Sequence, residues 1–320
     1  MSPPFVIKNA VTDGLPASAT SGQTKLHEAV QDVEENGNPN DDIGFQPVNI
    51  TLLGASGLTN EIIDPVICPG GTNPVITALW GMTPVNPGWG STEFQNPNNH
   101  SLVLKIEYGT SSLLITGDLE EKAQRNLLAK YNGTALLDAD VYVVGHHGST
   151  NGTLPEFLRK ITPKIALIGV GDPDHHSPMS AWDHGHASKK ILDSLQKRIT
   201  TTRPTIHVKV GNGQENFISN YPVTKAIYAT AWDNSIILEA DESGNWSKIE
   251  AVEILVPNQV NINTATMADL LTLPGIGETR ARAIIQFRTD HGNFTSIDQL
   301  DDVPGIGPAT IKLLRPFARI

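Results

Sequence analysis

The chain has 320 residues, a net charge of −11, 39% hydrophobic and 18% charged residues. That length suits two domains, the composition is that of an ordinary globular protein, and the negative total disfavours nucleic-acid binding by the molecule as a whole. One cysteine, Cys68, excludes an internal disulfide framework and a cysteine-built zinc cluster, so any metal must rest on histidine and carboxylate.

The start, MSPPFVIKNAVTDG, lacks the basic-then-apolar order of a secretory signal. No window approaches the roughly 18 apolar residues of a membrane span. Residues 1–45 are polar, with one helix-like run, SGQTKLHEAVQDVEENG, which Ser21 or Thr24 can cap and Gly37 can end. VNITLLGAS reads as a buried strand, and residues 57–99, rich in Pro, Gly and Asn, as mostly loop. SLVLKIEYG and SSLLITGD read as a hairpin about a Gly-Thr turn. LEEKAQRNLLAKYNG is an amphipathic helix stopped by Gly133. ADVYVVG and KIALIGVG are buried strands, and LPEFLRKIT and SKKILDSLQKR are helices. IYATAWDNSIILEAD reads as a closing hairpin. Strands alternating with helices predict α/β layering. The style changes over residues 241–259, read as a linker, and residues 260–320 are expected to be a small all-α domain.

That last stretch repeats itself. LTLPGIGETRARAII and DDVPGIGPATIKLL share Pro-Gly-Ile-Gly before a helical run, 30 residues apart from Gly275 to Gly305. Glycine supplies the positive φ and close backbone approach of a tight turn. A helix opening on such a turn points unpaired N–H groups and the positive end of its dipole outward, which suits a phosphate. A single copy equally fits a plain helix–helix turn. Two copies, each with a basic residue in the following helix, are far more specific: Arg280 or Arg282 in the first, Lys312 in the second. Six basic and six acidic residues make this tail neutral, so the whole −11 lies in residues 1–259.

The run VNINTATMADLLTLPGIGETRARAIIQFRTDHGNFTSIDQLDDVPGIGPATIKLLRPF closely resembles the tandem helix-hairpin-helix domain of the ComEA family of competence DNA receptors. The resemblance implies sequence-independent binding of the double-stranded DNA backbone through Gly275, Ile276, Gly277, Thr279, Arg280 and Arg282, and through Gly305, Ile306, Gly307, Ala309 and Lys312. Leu273, Ile276, Ile284, Ile306 and Leu313 read as core by their side chains. A neutral domain of this kind is expected to bind weakly and to lose affinity with salt.

Seven of the ten histidines lie between positions 100 and 186: His100, His146, His147, His175, His176, His184 and His186. A lone histidine is usually structural. Several that follow the ends of buried strands stand where layered α/β sheets bind ligands, and Asp118 follows LLIT in the same way. The order Asn98-Asn99-x-Ser101, Thr116-Gly117-Asp118, His146-His147-Gly148-Ser149 and Gly185-His186 resembles the metallo-β-lactamase-like domain at the end of ComEC competence channel proteins. Ala187 replaces the family's proline, and DPDHHSPMSAWDH reads as an insertion.

The resemblance implies a metallo-β-lactamase αβ/βα sandwich over residues 1–240. It also implies a catalytic pair of Asp118 and His147 and a metal set of Asp118, His147 and His186, with His146 and His176 as secondary candidates. Carboxylate and imidazole suit Zn²⁺ or Mn²⁺, whose bound water attacks phosphodiesters. For Asp118 the plainer role is a turn or helix cap before LEEKAQ. For His146, His175 and His176 the structural or exposed reading comes first. The family's principal motif, His-x-His-x-Asp-His, is absent from these 320 residues. A sandwich incomplete at its N-terminus, a weak or absent metal and impaired hydrolysis are therefore expected. The sequence leaves two alternatives to this hydrolase of DNA-uptake type: a non-catalytic DNA-binding scaffold, and a metallohydrolase of small molecules.

Overall fold

A computed structural model describes residues 9–12, 44–68, 71–249, 259–307, 310–311, 314–315 and 317–320. The helix expected within SGQTKLHEAVQDVEENG, and Ala309, Lys312 and Leu313, lie outside them. The chain divides into two compact units, Met1–Ile249 and Glu250–Ile320.

The first unit is a mixed α/β body built on a six-stranded sheet. In chain order its strands are β3 (Val75–Trp80), β4 (Val103–Tyr108), β5 (Ser111–Ile115), β6 (Val141–Val143), β7 (Ile165–Ile168) and β10 (Ile227–Ala229), lying side by side as β10-β7-β6-β5-β4-β3. β3, β4 and β5 run antiparallel as a meander, and β5, β6, β7 and β10 run parallel. Alternation explains the two faces. The register aligns Thr77, Lys105, Leu114, Tyr142, Ala166 and Ile227 in one buried row. The adjacent row, Leu104, Ile115, Val143, Leu167 and Tyr228, is apolar and half-buried. Helices α2 (Glu121–Lys130), α3 (Pro155–Ile161) and α5 (Lys189–Arg198) supply Leu127, Phe157, Leu158, Ile161, Leu192 and Leu195 to the core. The short helix α1 (Ser91–Gln95) precedes β4.

Several elements differ from the sequence expectation. VNITLLGAS is no strand: Asn49 and Gly54 make only isolated bridges, while Val48 and Leu53 plug a small satellite core with Ile63 and Ala78. The edge strand β3 lies instead within the stretch read as loop. IYATAWDNSIILEAD does not close on itself. Its first part, β10, pairs parallel with β7, a short helix α6 (Thr230–Asp233) follows, and β11 (Ile237–Ala240) pairs with β12 (Trp246–Ile249). The hairpin thus runs into the residues 241–249 assigned to the linker. The sequence pattern does not predict the long antiparallel hairpin of β8 (Thr202–Gly211) with β9 (Phe217–Lys225). A parallel pair, β1 (Asn9–Thr12) with β2 (Gly44–Pro47), completes the strands among the described residues of this unit.

The second unit packs Ile262, Leu270, Leu273, Ile276, Ala281, Ile284, Phe294, Leu300, Val303 and Ile306 into its own core. Helix α7 (Met267–Leu270) opens on a reciprocal capping box between Thr266 and Asp269. Helix α8 (Glu278–His291) follows the first Gly-Ile-Gly turn. The unit is not purely helical, because a two-residue parallel pair, β13 (Val260–Asn261) with β14 (Ala318–Arg319), joins its ends. Asn263 clasps Phe294 on both sides, its Nδ2 donating to the Phe294 carbonyl at 3.0 Å and its Oδ1 accepting the Phe294 N–H at 2.7 Å.

Candidate functional site

In the first unit, the loops leaving β5 and β6 bring the sequence candidates together. Parallel neighbours end on the same edge, so residues just beyond β5, β6 and β7 must meet. The His146 N–H donates to the Gly117 carbonyl at 3.0 Å, tying the β6 loop to the β5 loop. His147 Nδ1 donates to the Gly169 carbonyl at 2.6 Å, tying it to the β7 loop. The Ser188 N–H donates to the Gly148 carbonyl at 2.9 Å and draws in the segment carrying His186.

The turn at His146 and His147 is strained: both residues hold left-handed backbone, φ 50° and 53°. Buried groups hold it there. Tyr142 Oη, fully buried, accepts the Gly145 N–H at 3.1 Å and lies 2.9 Å from Thr153 Oγ1. Gly145 and Gly152 pass so closely that a Cβ on Gly145 would lie 2.5 Å from the Gly152 carbonyl oxygen. Left-handed non-glycine residues cost about 1–3 kcal/mol each and persist only where their surroundings fix them.

Around this turn stand Asp118, Glu120, His146, His147, His184 and His186. His147 Nε2 lies 3.7 Å from Asp118 Oδ1 and His146 Nδ1 lies 3.6 Å from Glu120 Oε1. Ring centroids are 5.7 Å apart for His146 and His186, and 5.6 Å for His186 and His184. Burial, reinforced by the neighbouring His146, His184 and His147 and opposed by Asp118, pulls the His186 imidazole down to about 4.

The sequence reading missed Glu120 and His184. Glu120, two residues past Asp118, is fixed by Asn96 Nδ2 at 3.0 Å and Asn98 Nδ2 at 2.9 Å. The Asn-Asn-x-Ser signal that marks this loop was therefore the clue to it. His184 is the last residue of the stretch read as an insertion, ending helix α4 (Ala181–His184) two residues before His186. His176 does not join the cluster. Its ring stacks on Trp182 at 3.8 Å, which leaves it a packing role. His100 is buried and satisfied, Nδ1 accepting the Thr83 N–H and Nε2 donating to the Phe94 carbonyl.

The donor set fits a divalent cation only in part. A carboxylate facing an imidazole whose far nitrogen is fixed by a backbone carbonyl is the arrangement metal-bound histidines adopt, and Asp118 with His147 has it. No third donor joins them among the described residues. Among the described residues, no three of His, Cys, Asp and Glu converge on one metal position. His146 Nδ1 is buried without a hydrogen-bond partner among those residues. Two protein ligands fall short of the three or four of a zinc site, so no hydrolytic step follows from this geometry.

In the second unit the two Gly-Ile-Gly turns share one geometry. Gly275 and Gly305 take φ +75° and +84°. In each, the isoleucine N–H bonds back to the residue three before it, Ile276 to Leu273 at 3.2 Å and Ile306 to Val303 at 3.0 Å. The side chains of Ile276 and Ile306 are buried, and their N–H groups are used within the turns, so neither group of these two expected contact residues faces outward. What faces outward is the start of α8. Gly277, exposed and extended at φ −98°, precedes it with no side-chain cap, and exposed Thr279 stands in its first turn. A Cβ on Gly277 or on Gly307 would meet nothing within 4 Å.

The arginines divide. Exposed Arg282 lies 3.6 Å from exposed Glu278. Arg288, outside the candidate set, clasps the Ile262 and Ala265 carbonyls at 2.6 and 2.7 Å. Arg280 Nη1 donates to the Gly275 carbonyl at 2.6 Å.

The helix-hairpin-helix motif family matches residues 257–319. The chain is 36% identical over 100 residues to ComE operon protein 3 of Bacillus subtilis, covering 31% of this chain and 12% of that protein. It is 39% identical over 102 residues to competence protein ComA of Neisseria gonorrhoeae, covering 32% and 13%. Both stretches are longer than the unit Glu250–Ile320 and so include residues of the first unit. A further relative, ComE operon protein 1 of Bacillus subtilis, is 39% identical over 56 residues, covering 18% of this chain and 27% of that protein. The chain spans only about an eighth of the length of the first two relatives, and its C-terminal region carries a helix-hairpin-helix motif.

Proposed function

We propose that this protein holds double-stranded DNA by its backbone through the C-terminal unit and serves DNA uptake of the competence type. The observation that carries the reading is the pair of Gly-Ile-Gly turns with matching left-handed glycines, the first opening a helix with no side-chain cap. Free N–H groups at such a helix start take a phosphate oxygen. Contacts of this kind position a duplex without reading its bases. The names of the relatives support the competence setting. Fluorescence anisotropy on two duplexes of unrelated sequence tests it. Equal affinities that fall with added salt are expected, and a strong preference for one sequence would overturn the reading.

For the first unit we propose a metallo-β-lactamase-like ancestry, with metal-dependent phosphodiester hydrolysis as the parent activity, impaired in this chain. Asp118, His146 and His147 just past the ends of adjacent strands, with His186 beside them, support it. A non-catalytic scaffold is the rival. The expected result is no stoichiometric zinc or manganese in purified protein and no nicking of plasmid with Mn²⁺ or Zn²⁺. Cleavage that disappears in Asp118→Ala would overturn the impairment. Turnover of a lactone or thioester with the same dependence would instead support a small-molecule hydrolase.

A further inference from the structure

The sequence places Arg280 among the residues that touch DNA, three positions past Gly277 in the first turn of α8. Its surroundings give it a different task. The guanidinium is turned back onto its own hairpin, Nη1 donating to the Gly275 carbonyl at 2.6 Å. That carbonyl belongs to the left-handed glycine of the turn, whose conformation has no support from a side chain of its own. The aliphatic stem runs toward the other hairpin. A Cβ built on Gly305 would meet one neighbour within 4 Å, Arg280 Cγ at 3.9 Å. Gly305 is the matching left-handed glycine of the second turn, at φ +84°. One side chain therefore bonds the glycine of the first turn with its charged end, while its stem lies beside the equivalent glycine of the second. Arginine suits this, because its long stem packs as a hydrophobe while the planar fork donates at a fixed angle.

We propose that Arg280 is a positioning residue: it braces the two glycine hairpins against each other so that they meet one DNA backbone at a fixed spacing, and it does not itself contact a phosphate. This rests on the reading of the unit as a duplex binder, but the brace has a readout that does not involve DNA. A duplex held at two points gains from rigid spacing, because the second contact then costs no further ordering. A bound phosphate would release a counterion, and losing that contact lowers the salt slope by about one. A brace leaves the slope unchanged.

The experiment compares wild type, Arg280→Ala and Arg280→Met in the full chain. Hydrogen exchange without DNA reads the Ile306 amide, bonded to Val303 in the second turn, against the Leu270 amide, bonded to Thr266 in α7. Arg280→Ala is expected to speed exchange at Ile306 several-fold and leave Leu270 unchanged. Arg280→Met keeps the stem and is expected to restore most of the protection. Duplex affinity of the alanine variant should fall several-fold at a constant salt slope. A slope lower by about one, unaltered exchange at Ile306, or equal acceleration at Leu270 would each overturn the brace. Absence of duplex binding in the wild type would instead defeat the DNA reading, and the exchange comparison would still decide the brace.

Discussion

Gly275 and Gly277 stand two residues apart and make different demands on a substitution. Gly275 occupies left-handed backbone, so alanine there forces an L side chain into a region it avoids, at a cost of about 1–2 kcal/mol. Gly277 is extended, with open space where a Cβ would go. Threonine fits that backbone and, as an N-cap, offers its hydroxyl to the free N–H groups of α8. Gly277→Thr is thus expected to hold or slightly raise the melting temperature while weakening duplex binding about tenfold, the hydroxyl and its methyl taking the place of the phosphate. Gly275→Ala lowers both. Thermal denaturation and anisotropy on the same samples separate the cases, and undiminished binding by Gly277→Thr would remove this helix start from the interface. The same scale governs the histidine turn. Tyr142→Phe deletes the buried acceptor of the Gly145 N–H and is expected to cost about 1–3 kcal/mol in urea unfolding. It should also broaden the imidazole resonances of His146 and His147. A stability equal to wild type would mean that the turn holds itself.

The elements were legible where local pattern and tertiary placement agree. SLVLKIEYG and SSLLITGD alternate, turn on Gly-Thr and pair as expected, because half-buried strands carry their period in the sequence. The edge strand β3 is hidden inside a stretch dense in Pro, Gly and Asn. Prolines 204 and 222 broke up the patterns of β8 and β9 in the same way. VNITLLGAS shows the reverse error, a strand-like apolar run whose residues plug a satellite core from turns. At the site, the strand-end rule gathered Asp118 and His147, with His186 beside them. It could not reveal His184, which arrives through the fold of an insertion. It also could not show that Ile276 and Ile306 spend their N–H groups inside the turns. Helix α7, only four residues long, depends on its start. Thr266→Ala breaks the reciprocal capping box and is expected to cost about 1 kcal/mol. Denaturant unfolding of the full chain, followed by amide exchange at Leu270, measures it, and an unchanged Leu270 amide would count against the cap.

Across the whole molecule the charge is divided, with the net −11 in residues 1–259 and a neutral tail beyond, and the response to acid is expected to divide with it. His186 is half-buried among other imidazoles, which pulls its proton affinity down to about 4 from an ordinary 6.5. Between those two values the unfolded chain takes up a proton at this position and the folded chain does not. The free energy of unfolding of the first unit should therefore fall as pH drops from about 6.5 toward 4. In the second unit, Asp269 is held below its ordinary 3.8 by hydrogen bonds from Thr266. A carboxylate shifted in that direction gives up its contribution only as pH falls below 3.8, outside the histidine window. Amide exchange, corrected for the intrinsic pH dependence of the chemistry, follows both units in one sample. Val144 and Ala166 report on the first, Leu270 and Ala281 on the second. Between pH 6.5 and 4.5 protection should decline in the first pair and hold in the second, and His186→Gln should flatten the first decline. If both pairs decline together, or the decline persists in His186→Gln, the acid sensitivity does not originate in the histidine cluster.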